Sequence, residues 1–104
     1  MNEAFKKLQI GKGAFGTDID VIRIKLEQLN DTYKFSRVGE GSFIAPFFYN
    51  DDMVALVKDF QKYCGLLQTG VYDYRTRQFA EQKHAFLMAH ARQSAKLLGE
   101  VKPR

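Results

Sequence analysis

Residues 51–76 constrain the fold of this chain more than any other segment, because they predict a helix, a tight turn and a second helix start in direct succession. One side of the first of these helices is apolar at the three- and four-residue spacing of an α-helix. The residues on that side are Met53, Leu56, Val57, Phe60, Tyr63 and Cys64. Asn50 or Asp51 is expected to cap the helix, and Gly65 suits the left-handed residue that often ends one. The segment therefore predicts a helix packed by one face into a small domain.

The connection that follows this helix is short and specific in its residue types. Thr69-Gly70 predicts a tight turn, since glycine accepts the positive φ that such turns need. Asp73 can then accept a hydrogen bond from the backbone N–H near Thr76 and begin the next helix.

That last helix is predicted to run through residues 74–98, which contain no Gly or Pro, and to end at Gly99 with Pro103 beyond it. The residues expected along one of its faces are Phe79, Lys83, Phe86, Leu87, His90, Ala91, Ser94, Leu97 and Leu98. A helix of about 25 residues is about 37 Å long, more than a small three-helix core can cover. Its far half is therefore expected to project or to pack against something else.

One further helix is predicted before residue 32. Thr17 or Asp18 is expected to cap it, and Asn30-Asp31 to end it. Its apolar stripe consists of Ile19, Ile22, Leu26 and Leu29. Residues 32–50 then lose the helical period and predict a short β-hairpin or an irregular aromatic loop.

The glycine-rich residues 11–16 match the letters GxGxxG. A nucleotide site of that type needs a preceding strand and a βαβ unit around it, for which this chain has no room. A turn is therefore the preferred interpretation of these glycines.

Length and composition exclude several classes of protein. A chain of 104 residues is expected to form one domain, and no run approaches the about 18 apolar residues of a membrane span. Residues 1–13 lack the apolar core and cleavage site of a secretory signal. The net charge of +4 is accounted for by residues 83–104, which hold five basic residues against one acidic residue. Nucleic-acid binding is not expected, because a recognition motif is missing and these charges are spread out.

No catalytic constellation emerges from the sequence. Cys64 occupies a core position of its helix, with no histidine close in sequence to act as its base. His84 and His90 are six residues apart, so they point to different sides of a helix, whereas a two-histidine metal site wants an i, i+4 pair. The expectation is a protein that is not an enzyme and that binds no metal or cofactor.

Three groups of residues resemble the motifs of the peptidoglycan-binding domain family, the small three-helix type attached to many cell-wall hydrolases. That family typically carries D-V-x-x-L-Q-x-x-L on its first helix, T-x-x-A-V-x-x-F-Q on its second, and G-L-x-x-D-G-V-V-G-x-x-T leading into its third. The residues that carry the resemblance are Asp18-Ile19, Ile22-Arg23 and Leu26, then Leu56-Val57 and Phe60-Gln61, and finally Gly65-Leu66, Thr69-Gly70-Val71 and Thr76. The match covers roughly residues 11–80.

The chain also departs from the family pattern. Arg23 stands where Gln is usual, Met53 replaces a Thr and Asp73 replaces a Gly. The loop before the second helix is longer and lacks the D-G-x-F-G form, with Tyr49-Asn50 in place of Phe-Gly. Ligand contacts that depend on that loop are the part of the resemblance that these changes put in doubt.

The resemblance implies a mainly α fold, namely a three-helix peptidoglycan-binding-domain-like bundle with a short β-hairpin or aromatic loop insertion and a long C-terminal helix. The domain would comprise residues 1–82, and residues 83–104 would form a basic C-terminal helical extension. Most of the matching residues have packing, capping or turn roles, so the motif describes the fold first.

Ligand contacts are expected from the loops that flank the second helix and from the start of the third. The candidate ligand-binding residues are Phe43, Phe48, Tyr49, Asp51, Gln61, Tyr72, Tyr74 and Arg75. The aromatic residues of 43–49 exceed what a short loop needs for its own burial and could form a sugar-stacking platform or a protein-docking patch. For Gln61, a structural amide bonded to a neighbouring loop is preferred over a ligand contact.

Two functions follow as hypotheses. The first is a non-catalytic peptidoglycan-binding module that localises a partner enzyme or an envelope or phage machine at the cell wall. The alternative is a protein–protein adaptor that uses the same fold, docks through the aromatic loop and the basic C-terminal helix, and self-associates through that helix. The expected locations are the bacterial cell envelope or periplasm, or a phage particle.

Overall fold

The computed structural model describes the backbone of residues 9–38 and 47–101, and the side chains of this part as far as residue 90. Its elements are β1 (Gln9–Ile10), α1 (Thr17–Tyr33), α2 (Asp51–Tyr63), β2 (Tyr72–Asp73) and α3 (Tyr74–Val101). The two strands pair antiparallel, with Gln9 opposite Asp73 and Ile10 opposite Tyr72. The predicted class, a mainly α protein with three helices and a small β element, is confirmed.

The strand pairing that the structure describes joins the chain ahead of α1 to the start of α3. A short β-hairpin or an irregular aromatic loop was expected within residues 32–50, and much of that stretch lies outside the described residues. In the described part of that stretch, regular pairing is limited to a single bridge between Phe48 and Phe15. Residues 39–46, which include Phe43, lie outside the described residues.

Helix α1 begins and ends differently from the prediction. Gly16 is its N-cap residue, so neither Thr17 nor Asp18 caps it. The helix continues past Asn30-Asp31 to Tyr33 and ends with Lys34 in the left-handed region. Asn30 has another role, because its side-chain amide donates to the Ser36 carbonyl (3.0 Å) and accepts from the Ser36 N–H (2.8 Å).

Helix α2 follows the prediction closely. The Asn50 side chain caps it by accepting from the Met53 N–H at 3.0 Å, and Gly65 just beyond it has φ 75. Met53 lies in the interior, but Tyr63 is 44% exposed and Cys64 only half-buried. The end of α2 is therefore only partly buried, and the Lys83 ammonium lies 5.2 Å from the centroid of the Tyr63 ring.

Helix α3 begins as predicted, with the Asp73 carboxylate accepting from the Thr76 N–H at 2.9 Å. Gly99 does not end it, because the helix continues to Val101. The helix also crosses the proposed boundary between residues 82 and 83 without interruption, and Leu87 beyond that boundary packs against the core.

The face of α3 that the sequence indicates is not uniformly buried. Thr76 and Ala80 are buried and Phe79 packs against the core, but Phe86 is 64% exposed and His90 is exposed as well. Phe86 and His90 are four residues apart on the outer side of the helix, where their rings stack at 5.8 Å. The side chains of the remaining predicted face, residues 91–98, lie outside the description.

The core lies between α1, α2 and the first turns of α3. Its buried apolar residues are Ile19, Ile22, Leu26, Leu29, Tyr49, Met53, Leu56, Val57, Phe60, Tyr72 and Ala80. All four residues of the predicted stripe of α1 are among them. Within the described residues, no helix is both long and apolar enough to cross a membrane.

Candidate functional site

The glycine-rich loop, residues 11–16, forms one wall of the candidate site by pairing with the chain that enters α2. The Gly13 N–H donates to the Tyr49 carbonyl (3.0 Å), and the Tyr49 N–H donates to the Ala14 carbonyl (2.9 Å). A third bond joins the Gly16 N–H to the Phe47 carbonyl at 2.9 Å. The interpretation of these glycines as a turn is thus confirmed, and their loop fixes the position of the aromatic residues ahead of α2.

Three phenylalanines near this pairing are exposed, and we call them the aromatic patch: Phe15, Phe47 and Phe48. They are 76%, 50% and 37% exposed, respectively, and the ring centroids of Phe15 and Phe48 lie 5.4 Å apart. Close to them in the sequence, the Lys12 ammonium lies 2.9 Å from the exposed Asp51 carboxylate. Adjacent exposed aromatic side chains with polar neighbours are typical of a binding surface.

Phe47 adopts a backbone conformation that is costly for a bulky residue. Its φ is 62, in the left-handed region that non-glycine residues with large side chains seldom occupy. Such a conformation costs on the order of 1–3 kcal/mol and is found most often at functional sites. Since half of Phe47 remains exposed, burial of the whole ring is not what holds this conformation in place.

A cluster of hydrogen bonds around the Gln61 side chain, which we call the Gln61 hub, lies in the interior. The Gln61 carboxamide oxygen accepts from the Gly70 N–H (2.9 Å), and its nitrogen donates to the Val71 carbonyl (3.0 Å). The same nitrogen also approaches the hydroxyl oxygens of Thr69 (3.1 Å) and Thr76 (2.9 Å). The preferred interpretation of Gln61 as a structural amide is confirmed, because its hydrogen-bonding groups are used within the protein.

Tyr49 and Tyr72 also lie in the interior, with 0% and 3% of their surface exposed. The Tyr49 hydroxyl donates to the Gly70 carbonyl at 2.6 Å, which ties the approach to α2 to the turn after it. Burial raises the pKa of both tyrosines well above the ordinary value. Together with Gln61, they were candidate ligand residues. The structure corrects that placement for Tyr49 and Gln61, which lie in the interior, whereas Tyr72 contributes to the lining of a small pocket.

The other candidates have different positions. Phe48 belongs to the aromatic patch, and Asp51 is exposed and ion-paired with Lys12. At the start of α3, Arg75 is exposed and Tyr74 is half-buried. Ligand contacts of these four stay predictions. Phe43 lies outside the described residues.

The sequence did not identify Phe15 as a candidate site residue, and Phe47 was noticed but not selected. Phe15 is the most exposed of the three, but it stands among glycines that were considered only as a turn. Its position as the one aromatic residue of the glycine-rich loop was the available signal. Phe47 was noticed among the aromatics of residues 43–49 but was not selected, since the sequence does not reveal its outward position.

A small pocket lies on another side of α1, between that helix, the strands and the start of α3. Its volume is about 220 Å³, and its lining residues are Ile10, Asp18, Val21, Ile22, Lys25, Tyr72, Arg77 and Glu81. The Glu81 carboxylate lies 3.1 Å from Nε of Arg77 and 3.6 Å from Nζ of Lys25. The pocket thus combines an apolar floor with charged groups of both signs.

The two potentially reactive side chains, those of Cys64 and His84, both lie among other residues of the fold. Burial raises the pKa of the Cys64 thiol, against a smaller opposing effect of nearby Lys83. A ring nitrogen of His84 lies 2.6 Å from the Gln28 side-chain oxygen, and burial together with nearby Lys25 lowers the pKa of this histidine. Across the described part of the chain, no group of three or more His, Cys, Asp and Glu side chains is placed to hold a metal ion.

Comparison with known proteins adds no assignment, since no family model, curated protein or solved structure matches this chain.

Proposed function

We propose that this protein is a non-catalytic peptidoglycan-binding module whose aromatic patch contacts the glycan of the cell wall. The observation that carries the proposal is the exposure of Phe15, Phe47 and Phe48, which are close in sequence to the Lys12–Asp51 ion pair. The resemblance of residues 11–80 to the peptidoglycan-binding domain family supports the choice of polymer.

The chemistry of the patch suits a sugar. A pyranose ring presents a face of C–H groups that packs on an aromatic ring, while its hydroxyl groups point outward to polar side chains. Phe15 and Phe48 offer the rings, and the Lys12 ammonium and Asp51 carboxylate, which are close to them in the sequence, offer a donor and an acceptor. An aliphatic patch would bury apolar area equally well but would lack the flat faces.

The biological role that follows is localisation. A wall-binding module with no reaction of its own holds a partner enzyme, or an envelope or phage machine, close to its substrate. The bacterial envelope and the phage particle are the compartments in which such a role operates.

Co-sedimentation with purified sacculi tests the proposal. The intact protein should sediment with sacculi at both low and moderate salt, because stacking on apolar faces is screened much less than ion pairing. Replacement of Phe15 by Ala should weaken binding about tenfold, equivalent to about 1.4 kcal/mol. Phe86→Ala is the matched control, since Phe86 is also mostly exposed but lies on α3 outside the patch. Absence of co-sedimentation at both salt concentrations would reject the wall-binding function.

A protein–protein adaptor is the second candidate, and a different observation favours it. Phe86 is 64% exposed on the outer side of α3 and stacks with His90, so this helix presents an aromatic pair that the core does not use. An exposed aromatic on a long helix is a common anchor for a partner protein or for a second copy of the chain.

Light scattering and capture of partners from the native host test the adaptor. Phe86→Glu should reduce any self-association or partner capture, whereas Ala85→Glu adds the same charge at the adjacent exposed position and should not. A protein that is monomeric at high concentration and captures no partner dependent on Phe86 would exclude this function for α3.

A further inference from the structure

A nearly buried tyrosine in the wall of the pocket beside α1 has a hydroxyl that the fold does not use. Only 3% of the surface of Tyr72 is exposed, and none of the described residues is hydrogen-bonded to its hydroxyl. In the same part of the chain, no fully buried side-chain oxygen or nitrogen lacks a partner, so this hydroxyl is open to solvent. Because Tyr72 lines the pocket and has almost no other open surface, its hydroxyl meets solvent inside the pocket.

This hydroxyl is a hydrogen-bond donor at neutral pH. Burial raises the pKa of Tyr72 well above its ordinary value, and nearby Glu81 raises it further against a smaller opposing effect of Arg77. The phenol therefore keeps its proton and can donate it to an acceptor. A nearly buried polar group without a protein partner is costly unless water or a ligand bonds to it. The hydroxyl is thus a point at which a ligand with an acceptor oxygen gains affinity.

The rest of the lining favours a neutral ligand with a small apolar part. Its apolar surface comes from Ile10, Val21 and Ile22. The Glu81 carboxylate is ion-paired with both Lys25 and Arg77, so the basic groups of the lining already have a partner. A charged ligand would have to compete with these pairs, whereas a neutral ligand leaves them intact.

We infer that this pocket binds the acetamido group of an N-acetylated amino sugar. The carbonyl oxygen of that group accepts the hydrogen bond of the Tyr72 hydroxyl, and its methyl group packs against Ile10 and Ile22. The amide N–H faces the opening of the pocket, where the carboxylate of exposed Asp18 is an acceptor. The acetamido group is neutral and combines an acceptor, a donor and a methyl group, as this lining requires.

The size of the pocket limits what enters it. Pockets for drug-sized molecules have volumes of roughly 300–1,000 Å³, and this one has about 220 Å³. Since one water molecule in the liquid occupies about 30 Å³, the pocket has room for a substituent of a few heavy atoms, with the sugar ring at its opening. The inference deepens the proposed function, because the wall glycan consists of N-acetylated amino sugars, and it rests on that proposal for the choice of a sugar over another acetamide.

Titration of the intact protein with disaccharides, followed by amide chemical shifts, tests the inference. The probes are N,N′-diacetylchitobiose and cellobiose, which are both neutral and differ by the replacement of each acetamido group with a hydroxyl. Saturable shifts with diacetylchitobiose should centre on Ile10, Ile22 and Tyr72, and cellobiose should bind at least tenfold more weakly. A blocked Nε-acetyl-lysine carries the same acetamide without a sugar. Weaker binding of this probe would support the amino sugar, and tighter binding would overturn that choice.

Variants separate the pocket from effects on folding. Tyr72→Phe should weaken binding of diacetylchitobiose at least tenfold without lowering the melting temperature, because the lost hydroxyl has no partner in the fold. Tyr63→Phe removes a hydroxyl outside the pocket lining and should leave binding unchanged. Val21 and Ile24 are 58% and 43% exposed on α1, but only Val21 lines the pocket. Val21→Phe should therefore obstruct binding, whereas Ile24→Phe should not.

The pocket inference and the wall function can fail separately. The inference is overturned if diacetylchitobiose gives no saturable shifts, if cellobiose binds as tightly, or if Tyr72→Phe and Val21→Phe both bind like the native protein. Sacculi that sediment the protein while diacetylchitobiose does not bind would remove the pocket inference alone. A disaccharide that binds with the expected dependence on Tyr72, in a protein that does not sediment with sacculi, would remove the wall function and leave the pocket.

Discussion

The Gln61 hub and the aromatic patch differ in burial and in polarity. In the hub, a buried carboxamide, the Tyr49 hydroxyl and the turn at Gly70 satisfy one another at 2.6–3.1 Å. In the patch, Phe15 and Phe47 are at least half exposed, and Phe47 has the unfavourable φ of 62. The polar groups of the hub are thus used to stabilise the fold, whereas the aromatic rings of the patch remain available to a ligand.

The difference shows that residues that match a family motif can all be used within the fold. Phe60-Gln61, Gly65-Leu66, Thr69-Gly70 and Thr76, which carry much of the family resemblance, belong to the core, to the hub or to the turns around it. A residue that uses all its polar groups internally has none left for a partner. The contrast predicts that changes in the hub affect stability, whereas changes in the patch affect binding with little effect on stability.

Gln61→Ala should give the largest loss of stability. It leaves the Gly70 N–H and the Val71 carbonyl without their side-chain partner in the interior, and each buried unsatisfied group costs about 1–3 kcal/mol. We expect the free energy of unfolding in urea to fall by about 3 kcal/mol. Gln78→Ala, at an exposed position of α3, should change it by less than about 0.5 kcal/mol. Equal effects of the two substitutions would show that the hub does not hold the turn.

Gly70→Ala should come next, with a loss of about 2 kcal/mol. Gly70 has φ 77, and a Cβ there would lie 2.8 Å from Cγ1 of Val54 on α2. Gly65→Ala separates the two causes, because Gly65 has φ 75 but nothing within 4 Å of an added Cβ. The difference between the two melting temperatures therefore measures the close approach of the turn to α2, and no difference would mean that Val54 moves aside freely.

Tyr49→Phe should lower the free energy of unfolding by about 1 kcal/mol at neutral pH, since it removes the hydrogen bond to the Gly70 carbonyl and keeps the ring. Tyr63→Phe is the control, because Tyr63 is 44% exposed at the end of α2 and the change keeps its ring as well. Equal stability of the two variants would show that the hydroxyl of Tyr49 is not needed to hold the turn.

The same tyrosine gives a pH dependence with a defined sign. Burial raises the pKa of Tyr49 above its ordinary value of 10.0, so the folded protein keeps a proton that the unfolded chain loses. The stabilisation is complete below pH 10 and is lost as the pH rises further, by up to about 1.4 kcal/mol per pH unit for each such tyrosine. Tyr72 behaves in the same direction. Urea titrations between pH 9 and about pH 11 should show a shallower decline for Tyr49→Phe than for the native protein, and parallel declines would contradict this role of burial.

Much of the fold could be predicted because local rules were enough. The apolar spacing on α1 and α2, the Asn50 and Asp73 caps and the Gly65 helix end depend on residues within one or two turns of each other. The pairing of β1 with β2 could not be found in this way, since Gln9 and Asp73 are far apart in sequence and two residues per strand give no periodic signal. The exposure of Phe86 does not follow from the sequence either, because α3 has apolar residues on more than one side, and only tertiary contacts select the buried face.

The candidate site was less predictable than the fold. Tyr49 and Phe48 are adjacent aromatic residues, yet one is fully buried and the other is 37% exposed. Their sequence context is the same, and the difference arises from the pairing with the glycine-rich loop, which is a tertiary contact. For the same reason, the pocket lined by Asp18 and Lys25 could not be predicted, because it is completed by Ile10, Arg77 and Glu81 from distant segments.

Phe15→Ala should have the smallest effect on stability and is the sharpest test of the contrast. Phe15 is 76% exposed and loses mainly one ring contact with Phe48, so the free energy of unfolding should change by no more than about 0.5 kcal/mol. Leu67→Ala, which removes another largely exposed apolar side chain outside the patch, should have an equally small effect. If Phe15→Ala instead destabilised the protein as much as Tyr49→Phe, the patch would be a structural cluster like the hub. A stable variant with weakened sacculus binding would support the contrast between the two regions. Exposed side chains that contribute to binding and not to stability are typical of a binding surface, whereas the side chains of a buried hub contribute to stability.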